Sequence, residues 1–138
     1  MENDTEIKVT SLNLSEIHHI AIIVSDYYAS KDFYVNKLGF PVVRENYREE
    51  KNDWKLDLKL GPTTELEIFA PVNPPKRPSY PEACGLRHLA FRTDDIDRTV
   101  AELAEKGIVC EPIRQDDFTG RKMTFFADPD GLPLELHE

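Results

Sequence analysis

The sequence predicts an α+β fold of two βαβββ modules that together form an incomplete barrel around a cavity, and three observations predict it. Two histidine-bearing strands are each followed, at intervals that agree to within one residue, by a carboxylate-bearing strand: His19 leads to Glu67 and His88 leads to Glu135. The punctuation repeats as well. Asp26 lies seven residues after His19 and Asp95 seven after His88, and Gly39 and Gly107 close the segments that follow. Between the two copies, residues 71–85 hold five prolines and cannot lie inside a helix or sheet, because each proline lacks a backbone donor. A chain of 138 residues is the size of one domain, so the two halves must share a core. The organisation expected is a polar tail over 1–16 and a single domain over 17–138, with module 1 at about 17–70, a linker at 71–85 and module 2 at about 86–138.

Each element has a local reason. IHHIAIIVSD alternates tightly enough for a strand, and Ser25 and Asp26 offer N-cap oxygens for the helix that follows. Ala29 with Phe33 and Tyr34 with Leu38 form an apolar stripe at helical spacing, ended by Gly39 where a C-terminal cap wants a left-handed residue. Val42 to Glu49 is expected as a strand of mixed polarity, EKND as a turn and WKLDLKL as a strictly alternating strand, with Gly61-Pro62 turning the chain into ELEIFA. The pattern restarts at GLRHLAFRTDD, with Asp94 or Asp95 as N-cap and Ile96, Val100 and Leu103 at helical spacing up to Gly107. Strands at Ile108 to Arg114, Lys122 to Ala127 and Leu132 to His137 complete the second module around the turns DDFTGR and DPDG.

Composition narrows the partners. A net charge of −9 disfavours nucleic acid and anionic membranes, which need clustered Lys and Arg, and leaves a small molecule. No apolar run approaches a membrane span and the first residues lack a signal-peptide pattern, so a cytoplasmic protein is expected. Cys84 and Cys110 lack metal-pair spacing and are expected as free thiols.

With the apolar phase of each strand facing its helix, alternation puts His19, Ala21, Ile23, Glu65, Glu67, His88, Ala90, Arg92, Glu135 and His137 on the cavity side. Lys55, Asp57 and Lys59 oppose Trp54, Leu56, Leu58 and Leu60, so a charged strand either lines the same cavity or is simply wet. Two His and two Glu at equivalent positions of two repeats are what a metal on a pseudo-twofold axis requires.

HHIAIIVSD with FYVNKLGF, GLRHLAF and DPDGLPLELHE also resemble the vicinal oxygen chelate superfamily, most closely its glyoxalase I (lactoylglutathione lyase) branch, from about Ile17 to Glu138. The resemblance implies one divalent ion (nickel, zinc, cobalt, manganese or iron) on His19, Glu67, His88 and Glu135. His18 is out of phase, and Glu65 is one step from the matching position. It further implies an isomerase that moves a proton next to a metal-chelated carbonyl, with Glu135 or Glu67 as the catalytic base, and a homodimer whose metal site lies within one chain or between two. Family members place an Arg four residues after the first His to hold glutathione; here that residue is Ile23, while Arg92, four after His88, is the substrate-binding candidate. The hemithioacetal of methylglyoxal and glutathione is therefore expected to be a poor substrate. An epimerase, an extradiol dioxygenase or a fosfomycin-type thiol transferase are related alternatives, and a metal-free module that binds small molecules is another.

Overall fold

The computed structural model describes residues 11–138, so most of the polar tail expected over 1–16 lies outside the described residues. The first module runs β1 (His19–Ile23), helix α1 (Tyr27–Lys31) continued by π-helical turns (Asp32–Lys37), β2 (Val42–Arg48), β3 (Asp53–Lys59) and β4 (Glu65–Ala70). The second runs β5 (Leu89–Arg92), α2 (Ile96–Glu105), β6 (Arg114–Gln115), β7 (Lys122–Ala127) and β8 (Pro133–His137). Each module folds as one four-stranded mixed sheet, ordered β1-β4-β3-β2 and β5-β8-β7-β6, and neither closes into a barrel. In both sheets the first and last strands of the module pair in parallel, Ala21 opposite Glu67 and Ala90 opposite Glu135. No helix is long and apolar enough to cross a membrane among the described residues.

The helices start where carboxylates cap them. Asp26 accepts from the Ala29 amide and Asp95 from the Arg98 amide; Ser25 instead donates its hydroxyl to Asp130 of the other module. The first helix departs from the α-helix that its stripe implied. Its second half is π-helical, with the Leu38 amide donating to Phe33 and the Phe40 amide to Tyr34, and Gly39 then takes φ 83°. Phe33 and Tyr34, both members of the expected stripe, are buried in the core along this wider turn.

One strand expectation needs correction, and the expected strand of mixed polarity at β2 forms. Residues 108–113 do not form a strand. Ile108 is buried and Cys110 half-buried, Pro112 has no donor, and Glu111 alone bonds to β7 before the short β6 begins, its amide to the Phe125 carbonyl and its carbonyl to the Thr124 hydroxyl. The mixed polarity of β2 has a cause of its own: a bulge at Val43 resets the register, so that Val42 faces Leu58 while Arg44 faces Asp57.

The apolar faces of both sheets and one side of each helix meet in one continuous core. Phe33 of the first module packs against Phe126 of the second with ring centroids 6.3 Å apart, and Phe40 against Phe91 at 5.5 Å. The buried Tyr34 hydroxyl donates to Asp128 at 2.7 Å. Asp128 also receives the Asp130 and Leu132 amides, which shapes the DPDG turn in front of β8. The modules are thus docked through their helix-bearing sides, and the opposite sheet faces, which carry the His and Glu residues, are turned away from this core.

Candidate functional site

On the open face of sheet 1, His19 Nε2 lies 3.7 Å from Glu67 Oε2. On the open face of sheet 2, His88 Nε2 lies 3.0 Å from Glu135 Oε1. Both pairs arise in the same way, because the first and last strands of each module run side by side in parallel and present their polar phase together. The four residues singled out by the repeat are therefore brought together two by two. Among the described residues no group of three or more His, Cys, Asp or Glu is close enough to hold a metal ion within one chain.

Each pair has a fixed surrounding. His18 Nδ1 is 3.0 Å from His19 Nδ1, which occupies the ring nitrogen of His19 that faces away from Glu67. Glu67 is flanked on its other oxygen by Lys55, whose Nζ is 3.7 Å from Oε1. The charged strand is not merely wet: Asp57 is 1% exposed, accepts from Lys55 at 2.8 Å and from Arg44 at 2.9 Å, and so holds Lys55 beside Glu67. Burial alone would push the Asp57 carboxyl up, but these two cations outweigh it and keep the carboxyl below the usual carboxylate range. Arg44 also takes Glu65 at 2.6 Å, so Glu65 sits at the far end of the same charge network, which runs through Arg44, Asp57 and Lys55 to Glu67.

The second pair is tighter and drier. Glu135 is buried, and the His88 ring stands edge-on to Phe125, with centroids 5.2 Å apart. Arg87 Nη1 is 3.0 Å from His88 Nδ1. A guanidinium only donates, so His88 accepts there and its neutral ring carries the proton on Nε2, the nitrogen that lies 3.0 Å from Glu135. His137, on the same face, is committed elsewhere: Nδ1 donates to the Glu138 carbonyl, and Asp116 lies 3.3 Å from Nε2. Arg92 is exposed and lines an apolar cavity between the modules, and no hydrogen bond or ion pair joins it to either half-site. Cys84 and Cys110 are free.

The family model described as Glyoxalase/Bleomycin resistance protein/Dioxygenase superfamily matches residues 16–136. The chain belongs to this superfamily. It is 58% identical to YwkD of Bacillus subtilis over 91% of this chain and 98% of that one, and 55% identical to YaeR of Escherichia coli over 92% and 98%, both uncharacterized proteins. A more distant superfamily relative, 30% identical over 87% of this chain and 77% of its own, is a 2-epi-5-epi-valiolone epimerase from Actinomyces. Among solved structures, a glyoxalase family protein from Enterococcus faecalis superposes with a TM-score of 0.86 at 66% identity, covering 91% of this chain and 98% of that one. Leishmania major glyoxalase I, a trypanothione-dependent enzyme, superposes at 0.67 with 28% identity over 89% and 86%. The antibiotic-binding protein TnmS3 from Streptomyces superposes at 0.69 with 28% identity over 90% and 95%.

Members of the superfamily often bind a divalent metal, and the donors present here fit one. Two ligand atoms about 2.1 Å from one ion are about 3.0 Å apart at a right angle and about 3.4 Å apart at a tetrahedral angle. The His88–Glu135 pair at 3.0 Å meets that spacing, and the His19–Glu67 pair at 3.7 Å is a small side-chain rotation from it. Imidazole nitrogen and carboxylate oxygen without thiolate suit nickel, cobalt, zinc, manganese or ferrous iron.

Proposed function

We propose that this protein is a divalent-metal-dependent isomerase of the glyoxalase I type, built as a homodimer in which the first module of one protomer meets the second module of its partner. One observation carries the proposal. Two His–carboxylate pairs occupy equivalent places in two repeats, each spaced for adjacent donors to one ion, yet one chain keeps them apart. A twofold dimer brings unlike half-sites together twice, giving two centres of His19, Glu67, His88 and Glu135. Exposed apolar side chains stand where such a contact would cover them: Ile23 on β1 and Leu86, two residues before His88.

The ion supplies Lewis-acid stabilisation of negative charge on two neighbouring substrate oxygens. The chain supplies the base. Glu135, buried beside Phe125 and fixed behind the Asp128 turn, takes the proton from the carbon next to the substrate carbonyl and returns it to the neighbouring carbon. Glu67, more open and paired with Lys55, serves mainly to hold the metal. Proton transfer at carbon is also what an epimerase performs, and the epimerase relative together with Ile23 at the glutathione-anchoring position supports a substrate other than the glutathione hemithioacetal.

The direct test is complementation. His19→Ala and His88→Ala proteins each lose metal by elemental analysis and lose activity. In a mixed dimer one centre carries both changes and the other carries none, so random subunit exchange restores about a quarter of the wild-type metal and turnover. Restoration of neither would place the centre within a single chain or remove it from these residues. Restored metal without turnover on glutathione, other thiol or non-thiol carbonyl substrates would sink the isomerase reading and leave the dimeric centre standing.

A further inference from the structure

A cavity of about 550 Å³ lies between the modules, away from both His–Glu pairs, with a floor of Leu60, Phe91, Leu103, Phe126 and Leu136. That volume is typical of a small-molecule site. Its lining also holds three cations, Lys37 at the end of the π-helical turns, Arg92 on β5 and Lys106 after α2, and none of them makes an ion pair among the described residues. The one carboxylate in the lining, Glu102, is paired with Arg98 at 3.3 Å. In a chain of net charge −9, three unpaired cations around one apolar hollow are a local reversal of the overall field. Lys37 and Lys106 sit at helix C-termini, where a cation is favoured anyway. Arg92, on a strand, has no such reason to be there.

We infer that this cavity is a second, metal-independent binding site for a small hydrophobic carboxylic acid, its apolar body on the phenylalanine floor and its carboxylate among Lys37, Arg92 and Lys106. A body of about ten to fifteen non-hydrogen atoms suits the volume. A single carboxylate fits better than a phosphate. Both bordering helices place C-terminal residues, Lys37 and Lys106, in the lining, and their partially negative ends disfavour a dianion more than a monoanion. The hollow has one wall in each module, Leu60 on one side and Phe91 on the other, so an occupant rests on both.

The inference is tested on the full chain, metal-stripped and metal-loaded, by calorimetric titration with decanoate and 3-phenylpropionate, with 1-decanol as the neutral control. Decanoate is expected to bind equally well with and without metal, and about tenfold more tightly than decanol, the equivalent of about 1.4 kcal/mol from the three charges. The Lys37→Glu/Lys106→Glu double variant, a surface change, should weaken decanoate at least about tenfold and leave decanol unchanged. Leu60→Trp should exclude both. Equal affinity for acid and alcohol, decanoate binding that survives the double variant, binding only to the metal-loaded form, or no binding up to millimolar concentration would each overturn the inference. So would a shift toward monomer in Leu60→Trp, which would show that a second copy of the chain covers the cavity.

Discussion

The two half-sites share a construction and differ in state. His88 and Glu135 are 3.0 Å apart, with side chains 24% and 9% exposed; His19 and Glu67 are 3.7 Å apart, with side chains 43% and 16% exposed. The second pair is packed and already at ligand spacing. The first is open, and Lys55 and Asp57 keep Glu67 in a network of charges. On the proposed function the second pair is the rigid half, suited to a positioned base, and the first the adjustable half, suited to admitting metal and substrate. Duplication supplies symmetry of position, and the side chains around each pair remove the symmetry of surroundings.

The largest expected break in this comparison is between Glu135→Gln and Glu67→Gln. At saturating metal, Glu135→Gln should lose about 10² to 10⁴ in turnover, or roughly 3–5 kcal/mol, the scale of a positioned base. Glu67→Gln should mainly raise the metal concentration needed. Steady-state kinetics across a metal titration separates the two, and a reversed pattern would exchange the roles of the halves.

A smaller effect is expected from Asp57→Asn, which acts on the first half alone. It should cost about 2 kcal/mol of stability at neutral pH, the scale of charge-assisted hydrogen bonds. The carboxyl is held below its unfolded value, so its contribution is present above the ordinary carboxylate range and is lost as pH falls through the lower folded value. Urea unfolding of wild type and variant should therefore converge in acid; a constant gap from neutral pH down to about pH 2 would contradict this assignment.

The smallest effect concerns Arg87, which acts on the second half. By donating to His88 Nδ1 it favours the tautomer with the proton on Nε2, the nitrogen that must be bare to bind metal. Arg87→Gln, whose amide oxygen accepts a proton from Nδ1, should tighten metal binding several-fold, or about 1 kcal/mol. Competition with a chelator measures it, and weaker binding in the variant would show that Arg87 supports the ligand.

Much of this was legible in the sequence because strand alternation is local. In ELEIFA and PLELH the period of two is enough to put Glu67 and Glu135 opposite the buried Leu66, Ile68, Leu134 and Leu136. The departures come from interactions that local pattern does not encode. The π-helical turns carry Phe33 against Phe126 of the other module, and the failed strand at 108–113 combines a proline with inward apolar residues that read as β. Arg44 reaches Asp57 only because of the bulge at Val43. The separation of the two pairs within one chain follows from docking through the helix-bearing sides, a choice made between modules and written in no single strand. Arg87 gave no signal beyond standing next to a histidine. The burial of Asp57 was half visible, in a charge on the correct phase of a strictly alternating strand.

The parallel pairing of first and last strands also sets an order of assembly during synthesis. Sheet 1 has all its strands once Ala70 has emerged, whereas β5 finds its parallel partner only when Pro133–His137 follows. At about 5–20 residues per second, the intervening stretch takes several seconds to make. Through that interval Phe33 and Tyr34 await Phe126 and Asp128, leaving an apolar surface on the nascent first module that the second module alone covers. The window in which this chain is most exposed to aggregation therefore lies within its own translation, after the first sheet is complete and before the last strand arrives.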